Sequence, residues 1–348
     1  MGLICSFERL ELPLEFPFTI SRGTRDSVEL LVVRIKGDDG RIGIGGAGPT
    51  PHYGETIATA EAVLPTYFEI VEDVGDPHQL AQIEAGLVDR VHRNPAARCA
   101  ISIALHDLAA QHAGLPLYRY WGLNSADTIE TSYTIGIDTT ERMREKTKIA
   151  VQRGFSTLKI KLGTERDQEI VETVRSAAPD ATIRVDANEA WTPRTAVERI
   201  EQLVDFDIEF VEQPVPAEDP AGLKFVYDRS PLPIAADESC ITVEDIPTIA
   251  DRADIANIKL MKCGGLREAI RMIHTANALG LETMLGCMLE TNASIAAGCH
   301  LAPLLDYADL DGSLLLAADP FEGVPIRNGS IALDEVTRSG IGVVHRDD

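Results

Sequence analysis

The sequence predicts an α/β protein: a (β/α)8-type (modified TIM) barrel with an N-terminal α+β capping domain. Three observations predict it. Eight strand-like runs alternate with amphipathic segments after about residue 127. Lys161, Asp186, Glu212, Asp237, Lys262 and Cys287 stand at or just past the ends of such runs, 25, 26, 25, 25 and 25 residues apart. One βα unit per step is a structural repeat. The stretch before residue 127 follows a different pattern, strands first and helices after. A doubly wound open sheet is the alternative for the alternating part. The constant step favours a barrel, whose C-terminal strand ends all face one mouth where active sites form.

Taken in order, Leu3 to Leu14 is mixed but largely alternating, and Glu29–Ile35 is a β-rich run. Asp38-Asp39-Gly40 is a hairpin turn, from which Arg41–Gly45 returns. Residues 54–113 carry apolar positions at helical spacing, ending in Ala100, Ile103, Ala104, Leu105 and Leu108. Gly114-Leu115-Pro116 stops that helix. The barrel strands are predicted at Thr131–Ile137, Thr157–Leu162, Thr182–Ala187, Ile208–Glu212, Ile234–Asp237, Ile255–Leu260, Thr283–Met288 and Tyr307–Leu310. The division is therefore 1–126 for the cap, 127–320 for the barrel, and 321–348 for a C-terminal segment expected to return to the cap. Gly43-Ile44-Gly45-Gly46-Ala47-Gly48 fits G-x-G-x-x-G, but Pro49-Thr50-Pro51 cannot open the helix that a dinucleotide site requires. These glycines are read as the end of a hairpin.

Composition narrows the function classes. The 348 residues are 45% hydrophobic and 25% charged, as in ordinary globular proteins. Lys+Arg is 32 against Asp+Glu 55, a net charge of −23. Such a chain is a poor binder of nucleic acid or of anionic membrane. No run of 18 apolar residues offers a membrane span. The N-terminus lacks the basic region of a signal peptide. Six scattered cysteines without a C-x-x-C pair suit reduced thiols and a cytoplasmic protein. The histidines show no metal-ligand spacing. Cys287 reads as an apolar lining group.

The strand ends carry the chemistry. Asp186, Glu212 and Asp237 offer three hard carboxylates from successive strands, with no His or Cys beside them. That set suits one Mg²⁺ ion rather than zinc. Lys159 and Lys161 are two apart on one strand and so share a face. Mutual repulsion and burial are expected to lower a lysine pKa there and make a base. On the sixth strand Lys259 and Lys262 compete for the inward position. Parity does not decide between them, and the 25-residue step favours Lys262. A cation between lysines suits removal of a proton beside a carboxylate.

Together these motifs resemble the muconate lactonizing enzyme subgroup of the enolase superfamily, and within it the dipeptide epimerases that act on L-Ala-D/L-Glu. The resemblance rests on Lys159-x-Lys161, Asp186-x-Asn188, Val211-Glu212-Gln213-Pro214, Asp237-Glu238-Ser239 and Asn257–Gly265 in order. It implies Asp186, Glu212 and Asp237 as Mg²⁺ ligands, and Lys161 with Lys262 as the acid/base pair. Lys159 would hold the substrate carboxylate. Asn188 and Glu238 would support the ligands from behind. Asp309 and Asp311 would receive a dipeptide ammonium, and Thr134 would touch substrate. The segment near 19–26 would close over substrate, with Arg25 on the γ-carboxylate of Glu and Arg22 as the rival position. The partner is then a small dipeptide. A cycloisomerase, an o-succinylbenzoate synthase, or a barrel that only binds ligand are the other readings. Barrels of this kind commonly associate, which leaves room for a homo-oligomer.

Overall fold

The computed structural model describes residues 2–347. Strands β1 (Leu3–Ile20) and β2 (Gly23–Gly37) form one long antiparallel ribbon, and β3 (Ile42–Ala47) pairs with β2. The ribbon outruns the strands expected from sequence. Pairing slips between Pro13 and Phe18, then resumes from Phe18↔Arg25 to Ile20↔Gly23. Phe18, Thr19 and Ile20 are good strand formers, and Pro17 falls in the irregular stretch where a missing donor is tolerated. The segment 19–26 is thus a ribbon tip. It lies on the barrel: Ile137 N donates to Thr19 O at 2.9 Å, and Ala317 N to Pro13 O at 2.9 Å.

Helices α1 (Ile57–Val74), α2 (Leu80–Arg90) and α3 (Pro95–Ala113) cover the cap sheet. Helix α3 ends at Gly114, left-handed at φ 67°. The G-x-G run finds its use here. Cβ atoms added to Gly43 and Gly45 would sit 1.9 Å from Ala104 O and 2.0 Å from Ala100 O. Alternate glycines on β3 let it lie against the backbone of α3, where alanines recur at helical spacing.

After the one-turn α4 (Leu117–Tyr120) the barrel begins. Its strands are β4 (Tyr133–Ile135), β5 (Thr157–Lys161), β6 (Thr182–Asp186), β7 (Ile208–Glu212), β8 (Ile234–Ala236), β9 (Ile255–Lys259), β10 (Glu282–Gly286) and β11 (Tyr307–Asp309). They pair in parallel in sequence order. A bridge between Thr131 and Ala308 brings the first strand's entry beside the last and closes the ring. Between the strands run α5 (Thr140–Gln152), α6 (Asp167–Ala177), α7 (Pro193–Leu203), α8 (Pro220–Tyr227), α9 (Ile246–Ile249), α10 (Leu260–Cys263), α11 (Leu266–Ala278) and α12 (Asn292–Cys299). Among the described residues no α-helix follows β11; two 3₁₀ turns, Gly312–Leu315 and Leu333–Glu335, and short strand pairs take its place. This is the variant barrel with one helix missing.

Along each strand one set of side chains packs outward on helices, such as Leu158 and Ile160. The other set fills the barrel. Phe210, Ala235, Ile255 and Met284 form an apolar plug below the mouth. The Arg184 guanidinium stacks 5.3 Å from Phe210 and 5.2 Å from Tyr307. The chain's last stretch runs back along the cap, where Ile341 N donates to the buried Asp107 carboxylate at 2.8 Å. Among the described residues no helix is long and apolar enough to cross a membrane.

Because Gly45 has no room for a methyl group, Gly45→Ala should lower unfolding free energy by about 3 kcal/mol in urea melts. A change within experimental error would contradict the close strand–helix approach.

Candidate active site

Asp186 and Glu212 close β6 and β7, and Asp237 follows β8 directly. One oxygen from each lies within 4.8 Å of the others, and all three residues are fully buried. The backbone bends sharply after two of them: Asn188 and Gln213 are left-handed at φ 43° and 35°. Such conformations cost of order 1–3 kcal/mol and persist where function requires them. Here they aim backbone and side-chain groups at the acids. Asn188 N donates to Asp186 Oδ1 at 2.8 Å, and Asp237 N to Gln213 Oε1 at 2.9 Å. Burial and the neighbouring Asp186 push the Glu212 carboxyl up to about 8. Burial would also raise Asp186, but Lys161 and Lys159 outweigh it and hold that group below the usual range.

Lys159 reaches Asp309 Oδ2 at 2.7 Å, Glu212 at 2.8 Å and Asp186 at 3.2 Å. Burial alone would lower its pKa, yet Asp309, Glu212 and Asp186 hold it well above the ordinary value. The expected lowering by mutual lysine repulsion is overturned for Lys159, because carboxylates dominate its surroundings. Lys161 lies 2.6 Å from Asp186 Oδ2 and lines the mouth cavity.

The preference for Lys262 is corrected. Strand β9 ends at Lys259, and Leu260 opens the one-turn α10, so Lys262 sits past the strand on a helical turn. Its ammonium points beneath the site, donating to Asp237 O at 2.6 Å, Asn257 O at 2.9 Å and Asp237 Oδ1 at 2.5 Å. Lys262 does not line the cavity, whereas Lys259 does. Lys259 bonds Asp237 Oδ2 at 2.7 Å, and Asn257, two residues before it on the same face, donates to Glu212 Oε1 at 2.9 Å. A Cβ on Gly286 would meet Lys259 Cε at 2.9 Å, so that glycine keeps the lysine's path open.

The donor set fits a hard divalent cation. It is all oxygen, closely gathered and buried. Asn188 Oδ1 and Glu238 Oε2 are buried without a hydrogen-bond partner among the described residues, and Glu212 Oε2 has only the Lys159 ammonium beside it, at 2.8 Å. Unsatisfied buried acceptors of this kind call for an ion or its waters.

Above the acids the same cavity is lined by Thr134, Cys287, Asp309 and Asp311, and by Phe18, Ile20, Arg22 and Arg25 from the ribbon. Asp309 is occupied by Lys159 and by Ser132 Oγ at 2.6 Å. Asp311 accepts from Thr134 N at 2.6 Å, and burial plus Asp309 push its carboxyl to about 7. Arg22 is engaged by the barrel, with Nη2 2.9 Å from Glu238 Oε1. Arg25 lines the cavity with no ion pair among the described residues. A larger hollow of about 440 Å³ between α2, α3 and the start of α11 contains none of these groups.

Comparison with known proteins places the geometry. Residues 7–122 match the mandelate racemase / muconate lactonizing enzyme N-terminal domain, and residues 142–348 match an enolase C-terminal domain-like model. An L-Ala-D/L-Glu epimerase of Bacteroides thetaiotaomicron is 40% identical over 97% of this chain and 87% of its own length. The chain belongs to the enolase superfamily and, within it, to the dipeptide epimerase family. In the same family a hydrophobic dipeptide epimerase of Enterococcus faecalis is 37% identical over 96% of this chain and 97% of its own. The Enterococcus faecalis V583 dipeptide epimerase structure complexed with Mg and L-Leu-L-Tyr superposes with a TM-score of 0.93, at 36% identity over 99% of this chain and 100% of that one. A substrate-liganded L-Ala-D/L-Glu epimerase from Bacillus subtilis gives 0.92 at 33% identity, covering 99% of each chain.

Without a cation Glu212 keeps a proton below about pH 8, and that proton must leave for the carboxylate to ligate. Mg²⁺ affinity should therefore strengthen from pH 6 to 8, releasing about one proton per ion near pH 7 by calorimetry in buffers of differing ionisation enthalpy. An affinity flat across that range would contradict the assignment.

Proposed function

We propose that the protein is a Mg²⁺-dependent dipeptide epimerase that moves a proton at the α-carbon of the C-terminal residue, with L-Ala-D/L-Glu, a cell-wall dipeptide, as its substrate. The placement of Lys161 and Lys259 carries the reading. Their strands, β5 and β9, stand four places apart in a closed ring of eight, so the two ammonium groups enter from opposite sides of the mouth. The arc between them, β6 to β8, supports Asp186, Glu212 and Asp237. The other arc supports Asp309 and Asp311.

A dipeptide fits across this plan. Its carboxylate belongs with the three acids and Lys159, its ammonium with Asp311 and Asp309, and its α-carbon between the lysines. Bound Mg²⁺ supplies Lewis acidity that stabilises the carboxylate as the α-proton leaves. Lys161 takes the proton from one face, and Lys259 returns one to the other. Exchanging the two roles runs the reaction backwards, so neither epimer is preferred by the machinery itself. Lys159, held charged and fully buried, offers positive charge where the enediolate gathers negative charge. Lys262 fixes Asp237 from below. Phe18 and Ile20 roof the cavity and exclude water, and Arg25 is the group for the γ-carboxylate of Glu. Cycloisomerases and o-succinylbenzoate synthases need the acids and lysines but have no use for Asp309 and Asp311.

L-Ala-L-Glu incubated in D₂O with enzyme and Mg²⁺ should gain deuterium at the Glu α-carbon and yield the D-Glu epimer by NMR. No exchange with any dipeptide would contradict the reading. Arg25→Ala should reduce kcat/KM for L-Ala-L-Glu by about 30-fold, roughly the 2 kcal/mol of a charge-assisted pair. L-Ala-L-Leu should change by less than about threefold in the same assay. Equal losses would remove Arg25 from the specificity role.

A further inference from the structure

Arg22 stands at the ribbon tip and reaches onto the loops that follow β6 and β8. Its Nη1 donates to Asn188 O at 3.2 Å and Glu189 Oε2 at 3.0 Å, and its Nη2 to Glu238 Oε1 at 2.9 Å. Ser21 Oγ adds a bond to Asn188 O at 3.1 Å, and His52 Nε2 lies 3.1 Å from the same Glu189 oxygen. The carboxylates gripped are 11% and 1% exposed while the Arg22 side chain is 33% exposed, so the grip is shielded on the barrel side and open to solvent on the other. A planar guanidinium fork can hold three acceptors at once, which an ammonium cannot do in the same geometry.

From that grip the contacts run straight to the acids. Asn188 Nδ2 reaches Glu238 Oε1 at 3.4 Å and Asp186 Oδ2 at 3.2 Å. Asn188 and Glu189 are both left-handed, at φ 43° and 68°, a pair that needs external support to persist. Asn188 Oδ1 and Glu238 Oε2 are buried acceptors without partners. A hydrated divalent cation on Asp186, Glu212 and Asp237 brings water, which donates to acceptors of this kind.

We propose that Arg22 is a positioning residue that couples closure of the ribbon tip to occupation of the carboxylate site. With the ion in place Asn188 and Glu238 are braced where Arg22 can hold them. Without it the brace is lost and the tip loosens. Phe18, Ile20 and Arg25 share that end of the ribbon, so the same grip sets the roof over the substrate. The inference rests on the reading of Asp186, Glu212 and Asp237 as cation ligands. By linkage, closure strengthens ion binding by the same factor that the ion favours closure.

The test is hydrogen exchange in peptides spanning residues 16–27 of the full chain, with and without saturating Mg²⁺, alongside calorimetry of Mg²⁺ binding. In the parent, Mg²⁺ should slow exchange about tenfold. Arg22→Gln should lose that slowing and bind Mg²⁺ at least about fivefold more weakly. Arg22→Lys should recover only part of it. Arg25→Gln, at the same tip, should keep the slowing, which separates the grip from a general loosening. Mg²⁺ protection equal in the parent and Arg22→Gln would overturn the proposal, as would a parent that binds the ion with no change at the tip. A parent that binds no Mg²⁺ would overturn the ligand reading and this inference with it.

Discussion

Carboxylates crowded into a dry barrel mouth repel one another, and the rest of the site is arranged around that repulsion. Asp186, Glu212, Asp237 and Asp309 face Lys159, Lys161, Lys259 and Lys262, and every one of these ammonium groups lies within 3 Å of a carboxylate oxygen. Buried charges survive only when paired this closely. The pairing also explains why the fold must be a barrel. Six strands have to deliver charged ends to one place while their apolar faces stay on the surrounding helices and on the Phe210–Met284 plug. A flat sheet would spread the same ends along an edge.

The same pairs tie the lysines to the cation. Lys161 and Lys259 bond oxygens of Asp186 and Asp237, two of the three groups that would ligate it. A cation on those oxygens would offset the Asp237 charge that holds Lys259 protonated, so a loaded site would bring that lysine nearer to working as a base. Lys262 has another environment. Two backbone carbonyls fix it below the mouth, where it can steady Asp237 but has no path to a substrate carbon.

Much of this was legible in the chain. The near-constant step located Asp186, Glu212 and Asp237 because each marks a strand end, and strand ends in a barrel share a mouth. The step failed at the sixth strand, where Leu260 begins a helical turn earlier than the spacing implied. Lys259 then takes the inward position two residues after Asn257, and the extra three residues carry Lys262 underneath. Asn257 and Gln213 stand in the motifs that carry the resemblance, but no role for them is legible in sequence, because a single amide in an apolar run carries no pattern. The ribbon was read as shorter strands because Pro13 and Pro17 interrupt its alternation. Arg22 and Arg25 could not be told apart by type or spacing, since what separates them is Glu238 and Glu189, more than 160 residues away. The glycine run lies on a strand and opens no helix, and the reason for it, the α3 backbone against Gly43 and Gly45, needed three dimensions.

The central claim is that two lysines on opposite strands each serve one face of the same carbon, and single-base variants test it most directly. Lys161→Ala and Lys259→Ala, each given pure L-Ala-L-Glu and pure L-Ala-D-Glu in D₂O, should both lose interconversion. Each should still wash deuterium into one epimer, and the epimer should differ between the two variants. Interconversion at the parent rate in Lys259→Ala, or the same epimer labelled by both variants, would contradict the account.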